Sequence, residues 1–333
     1  MPKSLQVTLV RRPEGRLDSS VFDIETVKIE QPSSGQVLVR NLVFSLDPYM
    51  RPRMDDEKSY VAPFPVGAPL EGGAVGEVIA SGIPEIDVGA HVLHMAGWRE
   101  YALLSRKEVR TIAPTAHPLS YQLGVLGMPG LTAYAGLVSV AKLAGGESIY
   151  ISSAAGTVGG LAGQMAKILG ARQVIGSVGS TAKVKYAASE LGYDSVIDYR
   201  TAPIADSLSN VVDGGIDVYF DNVGGDHFAA ALSHMSDFGR VVMCGTISSY
   251  DDPAMRTIPG NLFNIVRKRL TVTGLYVNDH VGIADQFTRN VGQWLDDGKL
   301  AIREVKTSGV DSAPEAFLGL LRGEHIGKVL VEP

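Results

Sequence analysis

The alternation of apolar and polar positions changes character twice along the chain. Across residues 1–125 the apolar positions fall in short β-type runs broken by proline and glycine. Examples are Gln36-Val37-Leu38-Val39-Arg40, Gly73-Ala74-Val75-Gly76-Glu77-Val78-Ile79 and Trp98-Arg99-Glu100-Tyr101-Ala102-Leu103-Leu104. Such runs predict the strands of an antiparallel barrel or partly open sheet. After Gly127-Met128-Pro129-Gly130-Leu131-Thr132-Ala133-Tyr134 the rhythm becomes one of apolar strands alternating with helices of period 3.6. Strands are predicted at 148–153, 173–178, 195–199, 216–222, 240–245 and 270–277, with helices between them that include 159–169, 182–191 and 227–238. Alternating strands and helices build a parallel sheet, and six strands are what a doubly wound Rossmann fold requires.

From Ile302 the earlier pattern returns, with Val305-Lys306, a helix over 314–321 and the run Gly327-Lys328-Val329-Leu330-Val331. One domain, 1–125 with 302–333, is therefore expected to be split by an inserted α/β domain, 126–301. No internal repeat or low-complexity tract interrupts this organisation.

Composition narrows the function classes. The 333 residues are 45% hydrophobic and 20% charged with a net charge of −6, which is an ordinary globular balance. An acidic chain does not suit the phosphate backbone, so nucleic acid is not an expected partner. No window offers the roughly 18 apolar residues that span a bilayer, and no apolar stretch follows the N-terminal Lys3, so neither membrane nor secretion is expected. A single cysteine excludes an internal disulfide framework and fits a reducing, cytoplasmic setting.

The 38 glycines are about 11% of the chain, against a usual level of roughly 7%. The most informative lie where strand 148–153 runs into Ala154-Ala155-Gly156-Thr157-Val158-Gly159-Gly160 and then a helix. Glycines there permit a tight turn and let backbone N–H groups and the helix N-terminus approach a pyrophosphate. The turn does not complete a strict G-x-G-x-x-G, so a βα turn without ligand is the competing reading. The second strand ends in Val174-Ile175-Gly176-Ser177-Val178-Gly179-Ser180 with no acid to hold ribose hydroxyls, and Lys183 follows in the first turn of the next helix, with Tyr199 ending the third strand. Small residues plus a cation favour NADP over NAD, whereas Lys185 reads as a solvated helix-face residue.

Other chemistries lack their residues. His91 and His94 lie on a predicted strand and point to opposite faces, and Cys244 sits in an apolar strand as an inert thiol. No G-x-S-x-G nucleophile turn occurs, and Gly323-Glu324-His325-Ile326-Gly327-Lys328 is one residue short of a P-loop. Hydride transfer without a metal remains, and it needs hydroxyl or amide donors for a developing oxyanion. Tyr49, Tyr60 and Tyr250 are the candidates, the last beyond the C-terminal end of a strand, where ligands bind in open α/β sheets. A half-buried structural ring is the competing reading for any one tyrosine.

Together these segments resemble the zinc-independent branch of the medium-chain dehydrogenase/reductase superfamily, specifically its NADPH-dependent alkenal, prostaglandin and curcumin reductases. The likeness rests on Ser45-Leu46-Asp47-Pro48-Tyr49-Met50-Arg51, Gly127–Tyr134, Ala154–Gly159, Tyr219-Phe220-Asp221-Asn222-Val223-Gly224-Gly225 and Cys244-Gly245-Thr246-Ile247-Ser248-Ser249-Tyr250. Zinc-bearing relatives carry Gly-His-Glu where this chain has Pro69-Leu70-Glu71-Gly72, without the histidine. The resemblance implies a GroES-like, partly open barrel as the catalytic domain, with the Rossmann domain inserted, and a homodimer.

It further implies pyrophosphate contacts from Thr157, Val158, Gly159 and Gly160 next to Gly156, and a 2′-phosphate held by Lys183 and Tyr199. The nicotinamide side would be lined by Asn222, the loop Cys244, Gly245, Thr246, Ile247, Ser248 and Tyr250, and the strand end Leu275, Tyr276 and Val277. Tyr60 and Tyr250 take the substrate carbonyl, with Tyr49 nearby. His325 stands where relatives often have a cofactor-contacting Asn, Ser153 where many have Ala, and Asn278-Asp279-His280 where some place an active-site tyrosine, which leaves the donor role to Tyr60, Tyr250 or the cofactor ribose. The substrate cleft would be shaped by the loops 53–65 and 250–260. The implied activity is reduction of the C=C bond of α,β-unsaturated aldehydes and ketones; a quinone reductase or an NADPH-binding protein without turnover are the alternatives.

Overall fold

The computed structural model describes residues 3–250 and 258–333. The chain divides into two compact units, Met1–Leu123 with Glu304–Pro333, and Gly124–Arg303. Among the described residues no helix is long and apolar enough to cross a membrane.

In the first unit the strands are β1 (Lys3–Leu9), β2 (Phe22–Lys28), β3 (Gln36–Leu46), β4 (Ala74–Ser81), β5 (His91–His94), β6 (Tyr101–Ser105) and β7 (Arg110–Thr111). β1 and β2 form an antiparallel ribbon, while β3 pairs with both β4 and β6 and continues the sheet through β5 to β7. The run 98–104 begins its strand late because Trp98 takes a left-handed backbone, φ +58°, which breaks strand geometry at that point. That bend places the indole, fully buried, among Phe22, Phe44 and Phe317, with ring centroids 5.7–6.2 Å away.

The second unit holds β8 (Ser148–Ser152), β9 (Gln173–Val178), β10 (Ser195–Asp198), β11 (Ile216–Asp221), β12 (Met235–Met243) and β13 (Thr271–Gly274). All are parallel, in the order β10-β9-β8-β11-β12-β13. The order reverses between β8 and β11, so the crevice for a ligand opens at the carboxyl ends of those two strands. The main helices are α1 (Met128–Ala135), α2 (Thr157–Ile168), α3 (Thr181–Ser189), α4 (Ile204–Val211), α5 (Gly225–His234), α6 (Phe263–Arg267) and α7 (Ala284–Asp296).

The expected helix over 227–238 is corrected at both ends. It starts at Gly225 and stops at His234, and Met235–Phe238 belong to β12. Met235 and Phe238 look helical by spacing, yet the segment forms an irregularity in register, Ile216 pairing with Met235 but Val218 with Arg240. The Lys268 ammonium accounts for the stop: it donates to the carbonyls of Ser233 and Met235, both at 2.7 Å, as the helix ends. The chain then returns to the first unit through β14 (Glu304–Ser308), α8 (Ala313–Leu321) and β15 (Lys328–Glu332), the last antiparallel to β3. The Lys328 ammonium is buried in an ion pair with Asp47 and also bonded to Ser45.

Candidate active site

The turn after β8 is built by close backbone approach. Ser153 adopts φ +57°, uncommon outside glycine, and its carbonyl accepts the Gly156 N–H at 3.0 Å. A Cβ on Gly159 would stand 2.3 Å from that same carbonyl oxygen, so only glycine lets α2 start this close to the strand. Gly159 and Gly160 are buried, whereas Gly156, Thr157 and Val158 are partly open. Gly160 donates its N–H to Gly156 O at 2.8 Å, which spends that donor inside the helix. The helix N-terminus, with its partial positive charge, is thus presented by Gly156–Val158. Deeper in the unit, Gly163 and Gly176 leave room for the Tyr193 ring, whose hydroxyl donates to Gly159 O at 2.7 Å.

Beside it, the end of β9 meets the end of β10. A Cβ on Gly179 would lie 2.6 Å from the Tyr199 hydroxyl and 3.4 Å from Arg200 Nε, so both side chains lean over this glycine. Ser180 caps α3 by accepting the Lys183 N–H at 3.4 Å. Burial first, and then the Arg200 charge, hold the Lys183 ammonium below its usual range. Two cations and a phenol converge here, a donor set that fits a phosphate monoester. The sequence reading missed Arg200; the second cation directly after Tyr199 was its available signal.

Where β8 and β11 diverge, a buried carboxylate organises the turn. Asp221 Oδ1 accepts from Tyr219 Oη at 2.7 Å, Gly224 N at 2.8 Å, Val223 N at 2.9 Å and Ser152 Oγ at 3.1 Å, while Oδ2 is buried without a partner. Desolvation accordingly raises its pKa. Asn222 is clamped to Ser152 by its own N–H and its side-chain amide, both at 2.8 Å. The loop that follows β12 is stapled to this turn. Ile247 N reaches Asn222 O at 3.3 Å, and Ser248 reaches Val223 O through its N–H at 3.1 Å and its hydroxyl at 2.6 Å.

Tyr250 folds back so that its hydroxyl lies 3.2 Å from where a Gly245 Cβ would be. Cys244 donates its N–H to Asp221 O, and burial, reinforced by the Asp221 charge, pushes its thiol up to about 12. Leu275 N–H bonds Met243 O at 2.9 Å, bringing the β13 end and Tyr276 to the same carboxyl edge, with Val277 opening the next helical turn. The structure thus brings Asn222, Cys244–Tyr250 and Leu275 together in one unit. Residues 251–257 of the expected cleft loop lie outside the described residues.

Tyr49, Tyr60 and His325 belong to the first unit. The Tyr49 phenol is pushed above its usual range chiefly by burial and by Asp47, with Arg53, Tyr60 and Glu71 also within electrostatic reach. Tyr60 is 62% exposed. Arg53 donates to Glu71 Oε2 and Ala62 O, both at 2.9 Å, and its guanidinium stacks 3.9 Å from the Phe64 ring centre. His325 lies against Gly319, its Nε2 buried without a partner.

The donor set does not fit a zinc site. Glu71, the acid that the zinc-bearing relatives would use, pairs with Arg53; His94 points inward and accepts the Ala96 N–H at 3.1 Å, while His91 alternates to the other face. Among the described residues no group of three metal-ligating side chains forms.

Residues 5–112 match the model of the N-terminal domain of oxidoreductase, and residues 157–296 that of zinc-binding dehydrogenase. The chain is 36% identical to NADPH-dependent curcumin reductase of Escherichia coli over 97% of this chain and 95% of that one. It is 39% identical to 2-alkenal reductase (NADP(+)-dependent) of Nicotiana tabacum, over 98% and 96%. The chain belongs to the medium-chain dehydrogenase/reductase superfamily. The crystal structure of CurA in complex with NADPH from Vibrio vulnificus superimposes with a TM-score of 0.93 at 37% identity, covering 98% of each chain. The parallel sheet of the second unit is of the Rossmann type, and the first unit carries the separate, antiparallel-rich sheet.

Proposed function

We propose that this NADP(H)-dependent reductase reduces the C=C bond of α,β-unsaturated aldehydes and ketones. The observation that carries the reading is the Tyr250 phenol held over Gly245, on a loop stapled to the Asn222 turn at the carboxyl edge of the sheet. Similarity to a curcumin reductase and a 2-alkenal reductase over nearly the whole chain supports the substrate class. When bound, NADPH supplies the hydride, which adds to the β-carbon of the conjugated system.

The chain's own contribution is to hold and polarise. Gly156–Val158 face the pyrophosphate with the N-terminus of α2, and Lys183, Arg200 and Tyr199 take the 2′-phosphate. Asn222 and the Cys244–Ser248 backbone, fixed by Asp221, Ser152 and Val223, shape the nicotinamide wall. Tyr250, with Tyr60 as the second candidate, donates to the carbonyl oxygen as it becomes an enolate, where a preformed donor stabilises the transition state most. The α-carbon proton comes from water or through that hydroxyl. Arg53 occupies the Glu71 carboxylate, and the reaction needs no metal.

Replacing Tyr250 by Phe is expected to lower kcat more than tenfold with NADPH affinity retained. An unchanged kcat removes Tyr250 from the mechanism. Turnover of a 2-alkenal against a small quinone decides the substrate class: quinone turnover without alkenal turnover gives a quinone reductase, and tight NADPH binding with neither gives a non-catalytic binder.

The reading extends to assembly and setting. β13 is exposed along its length, and among the described residues it pairs in the sheet with β12 alone, with Phe263, Val266 and Val272 exposed as well. A second copy adding across this edge would cover them, and sedimentation of the purified protein should give a dimer. A lone thiol suits the cytoplasm.

A further inference from the structure

His227 is a buried titratable side chain that the proposed reaction does not use. It lies in the first turn of α5, 6% exposed, with Nδ1 2.8 Å from Tyr150 Oη and 3.1 Å from Ser177 Oγ. Tyr150 in turn donates to Ser177 Oγ at 2.9 Å, closing a buried polar triangle between β8, β9 and α5. Burial pushes the imidazole down to about 4, so it is neutral near pH 7 and offers one nitrogen as an acceptor. Its ring also stands perpendicular to Tyr199, at 86° with centroids 5.0 Å apart, a favourable edge-to-face arrangement.

Tyr199 is 41% exposed at the end of a strand, where a ring with two rotatable torsions samples several rotamers unless packing selects one. Two features select it here. Gly179 leaves the space its hydroxyl occupies, and His227 packs perpendicular to its ring. A leucine in place of His227 would leave the Ser177 hydroxyl, which already accepts from Tyr150, with no acceptor from α5; an asparagine would supply the acceptor and lose the ring. Histidine supplies both.

We propose that His227 is a positioning residue for cofactor selectivity, fixing the Tyr199 ring so that its hydroxyl stays over Gly179 in the corner shared with Lys183 and Arg200. The inference rests on the assignment of that corner to the 2′-phosphate. Its test separates the two roles of the imidazole. Dissociation constants for NADPH and NADH, read from the fluorescence of the reduced nicotinamide, and melting temperatures are measured for His227→Asn and His227→Phe. His227→Asn keeps the acceptor and should melt close to the parent protein, yet weaken NADPH roughly fivefold with NADH little changed, the scale of a lost aromatic contact. His227→Phe keeps the ring and should melt lower while retaining the NADPH preference.

In a Tyr199→Ala background His227→Asn should cost nothing further, because its effect runs through that ring. An unchanged NADPH preference in His227→Asn, or equal weakening of both nucleotides, overturns the proposal, and this variant decides alone if His227→Phe does not fold. Lys183→Ala isolates the underlying assignment. If it weakens both nucleotides equally, the phosphate corner itself is misassigned; if it is selective and His227→Asn is not, only the role of His227 fails.

Discussion

Replacing Lys183 by Ala tests the cofactor corner most directly, and the structure sets the size of the effect. A charge-assisted hydrogen bond contributes about 1.5–3 kcal/mol. Three features place Lys183 within that range. Its ammonium is partly desolvated, which strengthens an ion contact; the Arg200 charge nearby disfavours the unliganded cation, so a bound dianion relieves a repulsion. Arg200 and Tyr199 remain after the substitution and keep part of the attraction. A loss of about 2 kcal/mol follows, which is roughly a 30-fold rise in the NADPH dissociation constant.

NADH has no 2′-phosphate, so its affinity should change less than twofold. Fluorescence titration of the two reduced nucleotides at 0.05 M and 0.3 M salt measures this, and the NADPH difference should shrink as salt screens the charges. The double replacement of Lys183 and Arg200 should abolish the preference for NADPH. Equal losses for the two nucleotides, or an effect independent of salt, would refute the reasoning.

Two further outcomes follow from groups whose charged form desolvation disfavours, the half-buried Cys244 and two buried histidines. The Cys244 thiol, at about 12, carries roughly one thiolate in ten thousand at pH 8, so alkylation by iodoacetamide, followed by mass spectrometry, should be far slower than for a free thiol and should keep rising with pH above 10; rapid labelling at pH 8 contradicts the burial argument. His94 and His227 are each pushed down to about 4 from an ordinary 6.5, so the unfolded chain binds more protons than the folded one between those values. Stability is therefore full above pH 6.5 and declines as pH falls towards 4, by up to about 3 kcal/mol for each histidine. Urea unfolding across that range should show a shallower slope for His227→Asn than for the parent protein, and an identical slope rules out this contribution.

Much of the fold was legible because it is written in short-range chemistry. The six parallel strands declare themselves by apolar runs bounded by glycine and polar turns, and the turn from Ala154 to Gly160 by glycines that the backbone demonstrably needs, Gly159 most of all. Helix ends were less legible. The spacing of Met235 and Phe238 mimics a helix, and what stops α5 is a lysine 34 residues beyond it, Lys268, reaching back to its last carbonyls. Likewise the late start of β6 follows from the positive φ of Trp98, whose indole packs among Phe22, Phe44 and Phe317.

The same division holds for the site. By itself the sequence determined a doubly wound cofactor domain inserted in a β-rich one, the preference for a 2′-phosphate and the tyrosines worth testing, since residue type and local spacing carry those. Only the tertiary structure decided that Arg200 joins Lys183, that Ser152 clamps the Asn222 turn, and that His227 stands against Tyr199. Each of these depends on which side chain meets which across strands and helices far apart in the chain. Such meetings are set by the strand order and the packing of buried faces, and no local pattern encodes them.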